Sequence, residues 1–199
     1  QDGRTMSSAV VVNAAGNWAG AFAESFGEAV PMFGAGPPQL VTEPLPYILR
    51  PVLQAVEGDV IVRQIPRGNF IFAGYPRTRS NADGEHTFVP PQKIRAGMAA
   101  LCRAMPGIAG ADIIRSWSGV EGYLPDMLPV IDRSRTTQGL FHAFGGSGGG
   151  FQIAPAVGMA LSALITGSEP LCDLTPYRID RFGSDLVASE KIGKEFDRD

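Results

Sequence analysis

Gly139-Leu140-Phe141-His142-Ala143-Phe144, then Gly145-Gly146-Ser147-Gly148-Gly149-Gly150, then Phe151-Gln152 and on to Ile165, is the stretch that decides the fold. The first six residues are an apolar strand holding one histidine. The next six are glycine at every position but one, which makes a turn. From Gln152 to Ile165, Ala154, Val157, Ala160, Leu161 and Leu164 recur at helical spacing, and Pro155 is acceptable in a first helical turn. Glycines allow a ligand close to the backbone, and the unpaired N–H groups that open a helix, with the positive end of its macrodipole, favour an electron-rich or anionic group. The run is not a Walker A loop, because no Lys-Ser/Thr pair follows, and it does not match GxGxxG with an acidic residue about 20 positions later. A plain tight connection between strand and helix is the alternative reading.

Working outward, Ala9-Val10-Val11-Val12-Asn13-Ala14-Ala15-Gly16-Asn17-Trp18 is a second apolar run closed by small residues, and Ala19 to Phe26 looks helical. Such a run fits a strand buried on both faces of a parallel sheet. It needs parallel neighbours, yet eight polar or small residues are all that precede it. From Gln39 to Phe88 the texture is short strand-like pieces broken by Pro and Gly: Gln39–Leu45, Val60–Gln64, Asn69–Gly74 and Thr87–Val89. Arg67-Gly68-Asn69 reads as a hairpin connection and 77–85 as a polar loop. Pro91 to Met105 carries Ile94, Met98, Leu101 and Met105 on one helical face between Pro90-Pro91 and Pro106-Gly107. Asp112–Gly119 is strand-like, and the chain becomes increasingly charged toward Asp199, as an exposed tail would.

Composition bounds the function. Of 199 residues, 44% are hydrophobic and 19% charged, with 17 Lys+Arg against 20 Asp+Glu. A chain of this length buries about 70% of its unfolded surface, so a core needs no staples. The slightly acidic balance and scattered basic residues offer no footprint for a nucleic acid. No run approaches the roughly 18 apolar residues of a membrane span, and Gln1-Asp2-Gly3-Arg4-Thr5 lacks a signal-peptide layout. Cys102 and Cys172, without a CxxC or a Cys/His cluster, read as buried reduced thiols of a cytoplasmic protein, and no metal site is indicated.

The order Arg115-Ser116-Trp117-Ser118-Gly119, Pro125-Asp126, Leu128-Pro129-Val130-Ile131, Gly139 to Gly145 and Ala154-Pro155-Ala156-Val157-Gly158 resembles the carboxy-terminal half of the FAD-dependent oxidoreductases of the D-amino-acid-oxidase superfamily, nearest the glycine oxidase and sarcosine oxidase beta-subunit branch. Val10 to Trp18 resembles the late strand and turn before that family's substrate domain, so the resemblance spans about Ser8 to Phe182. It implies an α/β (α+β) chain: residues 1–36 in an FAD-binding lobe, 37–124 an antiparallel-sheet substrate lobe, 125–183 back in the FAD lobe, and 184–199 a charged tail. It implies FAD as cofactor, with Ala15 and Gly16 lying against it and Gly145, Gly146, Ser147, Gly148, Gly149, Gly150, Phe151 and Gln152 meeting the pyrimidine end of the ring system, whose reduced anion a helix amino terminus stabilises. The substrate it implies is a small amine or amino acid, oxidised at a C–N bond by hydride transfer to flavin.

Departures from the family accompany the likeness. The amino-terminal dinucleotide-binding βαβ unit with its GxGxxG fingerprint is absent, which suggests a fragment, a truncation or one piece of a split enzyme that holds FAD poorly alone. A missing half, a partner subunit or self-association through exposed apolar surface would complete it. Gln152 stands where sarcosine oxidases place a lysine, and Glu121 where glycine oxidase has a carboxylate-binding arginine. Glu121 either faces a cationic amine or is a solvated or salt-bridged carboxylate. Tyr75 and Tyr123 stand beside strand ends of the substrate lobe, within reach of a substrate or packed in structure. Trp18 and Trp117 read as core packing, His142 as a satisfied interior histidine and His86 as solvent-facing. No catalytic acid–base residue is assigned. A non-catalytic assembly piece and a small-molecule or anion-binding module without redox chemistry are the competing readings.

Overall fold

Local chemistry explains where the longest elements begin and end in the computed structural model, which describes residues 3–56, 60–74, 76–81, 84–183 and 187–196. In chain order the elements are β1 (Val11–Asn13), α1 (Ala19–Glu24), β2 (Phe33–Gly36), β3 (Gln39–Pro44), β4 (Leu53–Gln54), β5 (Val60–Gln64), β6 (Asn69–Gly74), β7 (Thr78–Arg79), α2 (Pro91–Ala104), β8 (Ile113–Trp117), β9 (Glu121–Tyr123), β10 (Val130–Arg133), β11 (Leu140–Phe144), α3 (Gly150–Thr166) and α4 (Ile192–Glu195). Pro90 is extended at ψ 145° ahead of Pro91 at the first helical position of α2, and Met105 leaves the helix just before Pro106. Gly167, at φ 71°, supplies the left-handed residue that stops α3. That helix begins at Gly150, so Pro155 lies beyond its first turn and deprives a carbonyl of its amide partner.

The chain divides into two compact units, Gln1–Phe33 with Glu121–Ser189, and Gly34–Val120 with Glu190–Asp199. In the first, β1 pairs in parallel with β11 (Val11↔Leu140, Asn13↔His142), and β10 pairs antiparallel on the other side of β11. The parallel neighbour that β1 requires therefore comes from far along the chain. The expected burial on both faces is not found: Val10, Val11 and Val12 are exposed, because β1 is the edge of a three-stranded sheet. The unit's core is Ala19, Ala23, Leu124, Val130, Phe144 and Ile179, with Val30, Met32 and Phe182 packed against it. Two buried or half-buried acids clamp the segment after α3: Asp132 accepts from the Ile179 amide at 3.1 Å, and Asp126 receives the Arg181 guanidinium at 2.7 and 3.1 Å.

The second unit is built on a five-stranded antiparallel sheet in the order β4-β5-β6-β3-β8. Leu40, Val60, Val62, Phe70 and Phe72 alternate inward from it against Ala100 and Leu101 of α2. A Cβ on Gly97 would stand 2.8 Å from Leu40 Cδ1, so glycine is what lets the helix lie this close to the strand. Gln64 is the unit's buried hub. Its Oε1 accepts from the Ile48 and Leu49 amides, and its Nε2 donates to the Pro46 and Gly68 carbonyls, which ties the proline-broken 45–49 segment to the sheet.

Several sequence expectations change here. Thr87–Val89 is not a strand, and the supposed polar loop at 77–85 contains β7, which pairs with β2 through Gly36↔Thr78 and Ala35↔Arg79. Within the stretch expected as an exposed tail, Phe196 is buried and bridges to Arg77, whose guanidinium lies 5.8 Å from its ring. Trp18 and Trp117 are 54% and 40% exposed rather than packed in a core, Trp117 with the Arg115 guanidinium 5.6 Å from its ring. Cys102 and Cys172 are free, but Cys172 is exposed and Cys102 only half-buried.

Replacing Gln64 with leucine strips the Ile48 and Leu49 amides and the Pro46 carbonyl of their partner, while the Gly68 carbonyl keeps the Leu45 amide. We expect Gln64→Leu to lower stability by about 2–4 kcal/mol, read as a fall in the urea midpoint.

Candidate functional site

The in-register parallel pair β1 and β11 sends two small-residue turns out of the same end of the sheet, Ala14-Ala15-Gly16 after Asn13 and Gly145–Gly150 after Phe144. In open α/β sheets the crevice outside the carboxyl ends of parallel strands is where ligands bind. Gly122 of β9 joins the two turns. A Cβ at Gly122 would lie 3.3 Å from Asn17 Cα and 3.4 Å from the Gly16 carbonyl oxygen, while the Gly122 carbonyl accepts from the Ser147 amide at 3.2 Å.

The glycines of the second turn divide by role. Gly145, at φ 72°, and Gly146 are required by the protein's own packing, since a Cβ would come within 2.3 Å of Leu124 Cδ1 or 2.8 Å of Gly150 Cα respectively. Ser147 occupies the left-handed region at φ 48°, which is strained for a residue with a side chain. Its hydroxyl offsets that strain by donating to the Gly145 carbonyl at 3.1 Å and accepting from the Leu124 amide at 3.4 Å. Gly148 has φ 80°. Gly150 is different: a Cβ there would meet nothing within 4 Å, and Gly149 would meet only the Gly146 carbonyl oxygen, at 3.5 Å.

The turn also leaves donors unused. The Gly149 amide bonds back to Gly146, and those of Gln152 and Ile153 bond to Gly149. Among the described residues the amides of Gly150 and Phe151 have no acceptor, no acidic side chain stands in the first turn of α3, and no side chain caps it. Phe151 is 97% exposed, and Gly148, Gly150 and Gln152 are exposed with it. Open room over Gly150, unfilled N–H groups and an uncompensated helix dipole fit the electron-rich edge of a planar heterocycle such as the pyrimidine end of a flavin.

Across β1, Ala15 and Gly16 are exposed, and a Cβ on Gly16, at φ 59°, would meet nothing within 4 Å. On β9, Glu121 and Tyr123 share one face. The Tyr123 hydroxyl donates to the Glu121 carboxylate, and its fully buried ring stacks on Phe33 at 5.8 Å and 25°. Tyr123 is thus a support for Glu121 and not itself an open surface. Tyr75 lies outside the described residues. The structure brings Ala15–Gly16, Glu121–Tyr123 and Gly145–Gln152 together in one unit.

Sequence reasoning missed the polar chain beneath the site. Asn13 Nδ2 donates to the Ala19 carbonyl at 2.9 Å and lies 3.2 Å from His142 Nδ1, and Asn13 Oδ1 accepts from the Ala15 amide at 3.3 Å. Turning the amide over would set an oxygen against the Ala19 carbonyl, so Nδ1 of His142 is the acceptor and Nε2 the donor, 3.1 Å from Glu28 Oε2. Glu28 also receives the Ser134 hydroxyl at 2.6 Å and the Arg135 amide at 2.7 Å. Burial by itself would raise its pKa; the Ser134, Arg135 and His142 donors outweigh it and hold the carboxyl below its ordinary value of 4.5. No local pattern marks Glu28 in the sequence, because its partners come from segments more than a hundred residues away. Among the described residues there is no cluster suited to a metal ion, and no helix is long and apolar enough to cross a membrane.

A strand–glycine turn–helix cradle beside a parallel strand, with an antiparallel sheet in a second unit, is the architecture of a flavin-dependent oxidoreductase. The profile of the FAD dependent oxidoreductase family DAO matches residues 1–164, and this chain belongs to that family. Glycine oxidase of Geobacillus kaustophilus is 29% identical over 185 residues, covering 90% of this chain and 46% of that protein. Sarcosine oxidase subunit beta of Rhizobium meliloti is 28% identical over 158 residues, covering 76% and 35%. Among solved structures, the glycine oxidase from Geobacillus kaustophilus superposes with a TM-score of 0.79 at 21% identity, over 90% of this chain and 47% of that one. L-proline dehydrogenase from P. horikoshii gives 0.77 at 24%, over 87% and 46%. These structural likenesses are of fold, mixed α/β with antiparallel sheets. The chain spans less than half the length of these relatives.

Two outcomes follow from this geometry. Gly146→Ala forces the turn apart and lowers stability by about 1–3 kcal/mol, whereas Gly150→Ala, with open space and a better helix former, leaves the melting temperature unchanged or higher; thermal unfolding of the pair checks the contrast. For Glu28, a folded pKa below 4.5 means its stabilisation is complete above that pH and is lost as pH falls from 4.5 through the lower folded value. Glu28→Gln therefore unfolds more easily at neutral pH, by about 2 kcal/mol, and shows a flatter acid limb in pH-dependent urea titrations.

Proposed function

We propose that this chain forms part of an FAD-dependent enzyme that oxidises a small amine or amino acid at a C–N bond. The single observation that carries the reading is the open Gly149–Phe151 cradle, with free amides and an uncompensated helix dipole, beside the Ala15–Gly16 turn. FAD, when bound, supplies the acceptor for a hydride leaving the carbon beside an amine nitrogen, and the resulting imine is hydrolysed by water. The chain's own residues supply position and charge. Gly145 to Gln152 would hold the pyrimidine edge, with the α3 amides favouring negative charge there, and Ala15–Gly16 would lie against the ring system. Glu121, its carboxylate oriented by Tyr123, would face the substrate's cationic amine group.

None of the 199 residues carries GxGxxG, and Val10–Val12, Phe151, Met159 and Leu171 of the first unit are exposed apolar side chains. Both facts support completion of the site by further polypeptide, whether preceding sequence, a partner subunit or a second copy. The free cysteines fit a cytoplasmic location.

The test is a chimera in which the GxGxxG-bearing portion of a glycine oxidase precedes this chain. We expect the 199 residues alone to purify without stoichiometric flavin. The chimera should carry flavin absorbance that bleaches anaerobically with some member of a panel of secondary amines and amino acids, and Gly150→Val should weaken its flavin binding about tenfold or more. A folded chimera stabilised by simple anions but not by FAD overturns the proposal.

A further inference from the structure

We infer that Glu28 and His142 act through Asn13 as positioning residues that preset the Gly16 turn, a role whose value for cofactor binding rests on the function proposed above. The argument is one of connectivity and of hydrogen-bond direction. Glu28 is anchored from two sides before it meets the ring, by the Ser134 hydroxyl and the Arg135 amide. Its carboxylate fixes which imidazole nitrogen of His142 carries the proton, and that choice leaves the Nδ1 lone pair aimed at Asn13. An acceptor there, together with the Ala19 carbonyl, determines which way round the Asn13 amide lies.

Asn13 then holds both sides of the turn at once, the Ala15 amide through Oδ1 and the Ala19 carbonyl through Nδ2, with exposed Gly16 between them. Gly16, at φ 59° with no neighbour within 4 Å of a would-be Cβ, has no side-chain packing to fix it, and its carbonyl accepts the Ala19 amide of the same turn and stands beside Gly122. An exposed turn with no side-chain packing, bracketed by a buried chain of hydrogen bonds that ends on the Glu28 carboxylate, is a site preorganised from below. His142 touches neither Ala15 nor Ala19 in this chain of bonds. Its influence on the turn is carried by Asn13.

The test uses the 199-residue chain and needs no flavin, so its result is independent of whether the functional proposal stands. Ring ¹⁵N NMR of the wild type should show His142 with an unprotonated Nδ1 and a protonated Nε2. In amide exchange, His142→Phe should accelerate exchange of the Ala15 amide about tenfold beyond Val130→Ala, a core substitution that loosens the same unit without touching the relay. His142→Gln, which retains one acceptor and one donor, should bring that rate back to within about threefold of wild type. Equal exchange patterns in His142→Phe and Val130→Ala, or a wild-type ring protonated at Nδ1, would overturn the relay. Should His142→Phe not fold, the ring signature and the comparison of His142→Gln with Val130→Ala decide the matter.

Discussion

The parallel pairing of β1 with β11 is the constraint on which the first unit depends. It joins residues 11–13 to 140–142, and only when that pairing is made do the two small-residue turns leave the sheet at the same end. Gly122 then sits between them in contact with both, and the buried acid on the 27–29 segment comes within reach of the histidine on β11. Strand pairing so distant in sequence carries a large loop-closure entropy, which the Leu124, Val130 and Phe144 cluster and the Asp132 and Asp126 clamps help to offset.

Within the Gly145–Gly150 turn, one composition serves two purposes. Gly145, Gly146 and Gly148 are glycines because the backbone crowds its neighbours or takes positive φ, and the strain at Ser147 is offset by its hydroxyl's hydrogen bonds to the Gly145 carbonyl and the Leu124 amide. Gly150 faces open space, and a Cβ at Gly149 would meet only the Gly146 carbonyl oxygen, in ordinary contact. A six-residue run that looks uniform in one dimension is a packed tie at one end and an exposed edge of amide donors at the other. That division gives the family assignment a physical basis in this chain, beyond the similarity to glycine oxidase and its relatives.

Much of this was legible from local chemistry. The proline-bounded α2, the strands at 39–44, 60–64, 69–74 and 113–117, and the strand–turn–helix at 140–166 follow from periodicity, turn residues and helix stop signals. The interior character of His142 follows from its apolar strand. What failed did so where burial depends on distant partners. The valines of β1 are exposed because the strand is an edge, Trp18 and Trp117 reach the surface although their size suggests a core, and Phe196 is buried at the end of a charged stretch.

The order of motifs by itself carried the resemblance to the family and the α/β class, and local backbone permissiveness along one strand and one helix made the glycine turn a candidate ligand cradle. The tertiary structure alone decided that Gly16 and Gly150 face open space while Gly145 and Gly146 do not, that Tyr123 braces Glu121, and that Glu28, His142 and Asn13 form one chain of bonds. The physical reason is that a hydrogen bond or a steric contact between residues a hundred positions apart is a property of the fold's register, and no local stretch of side chains encodes it.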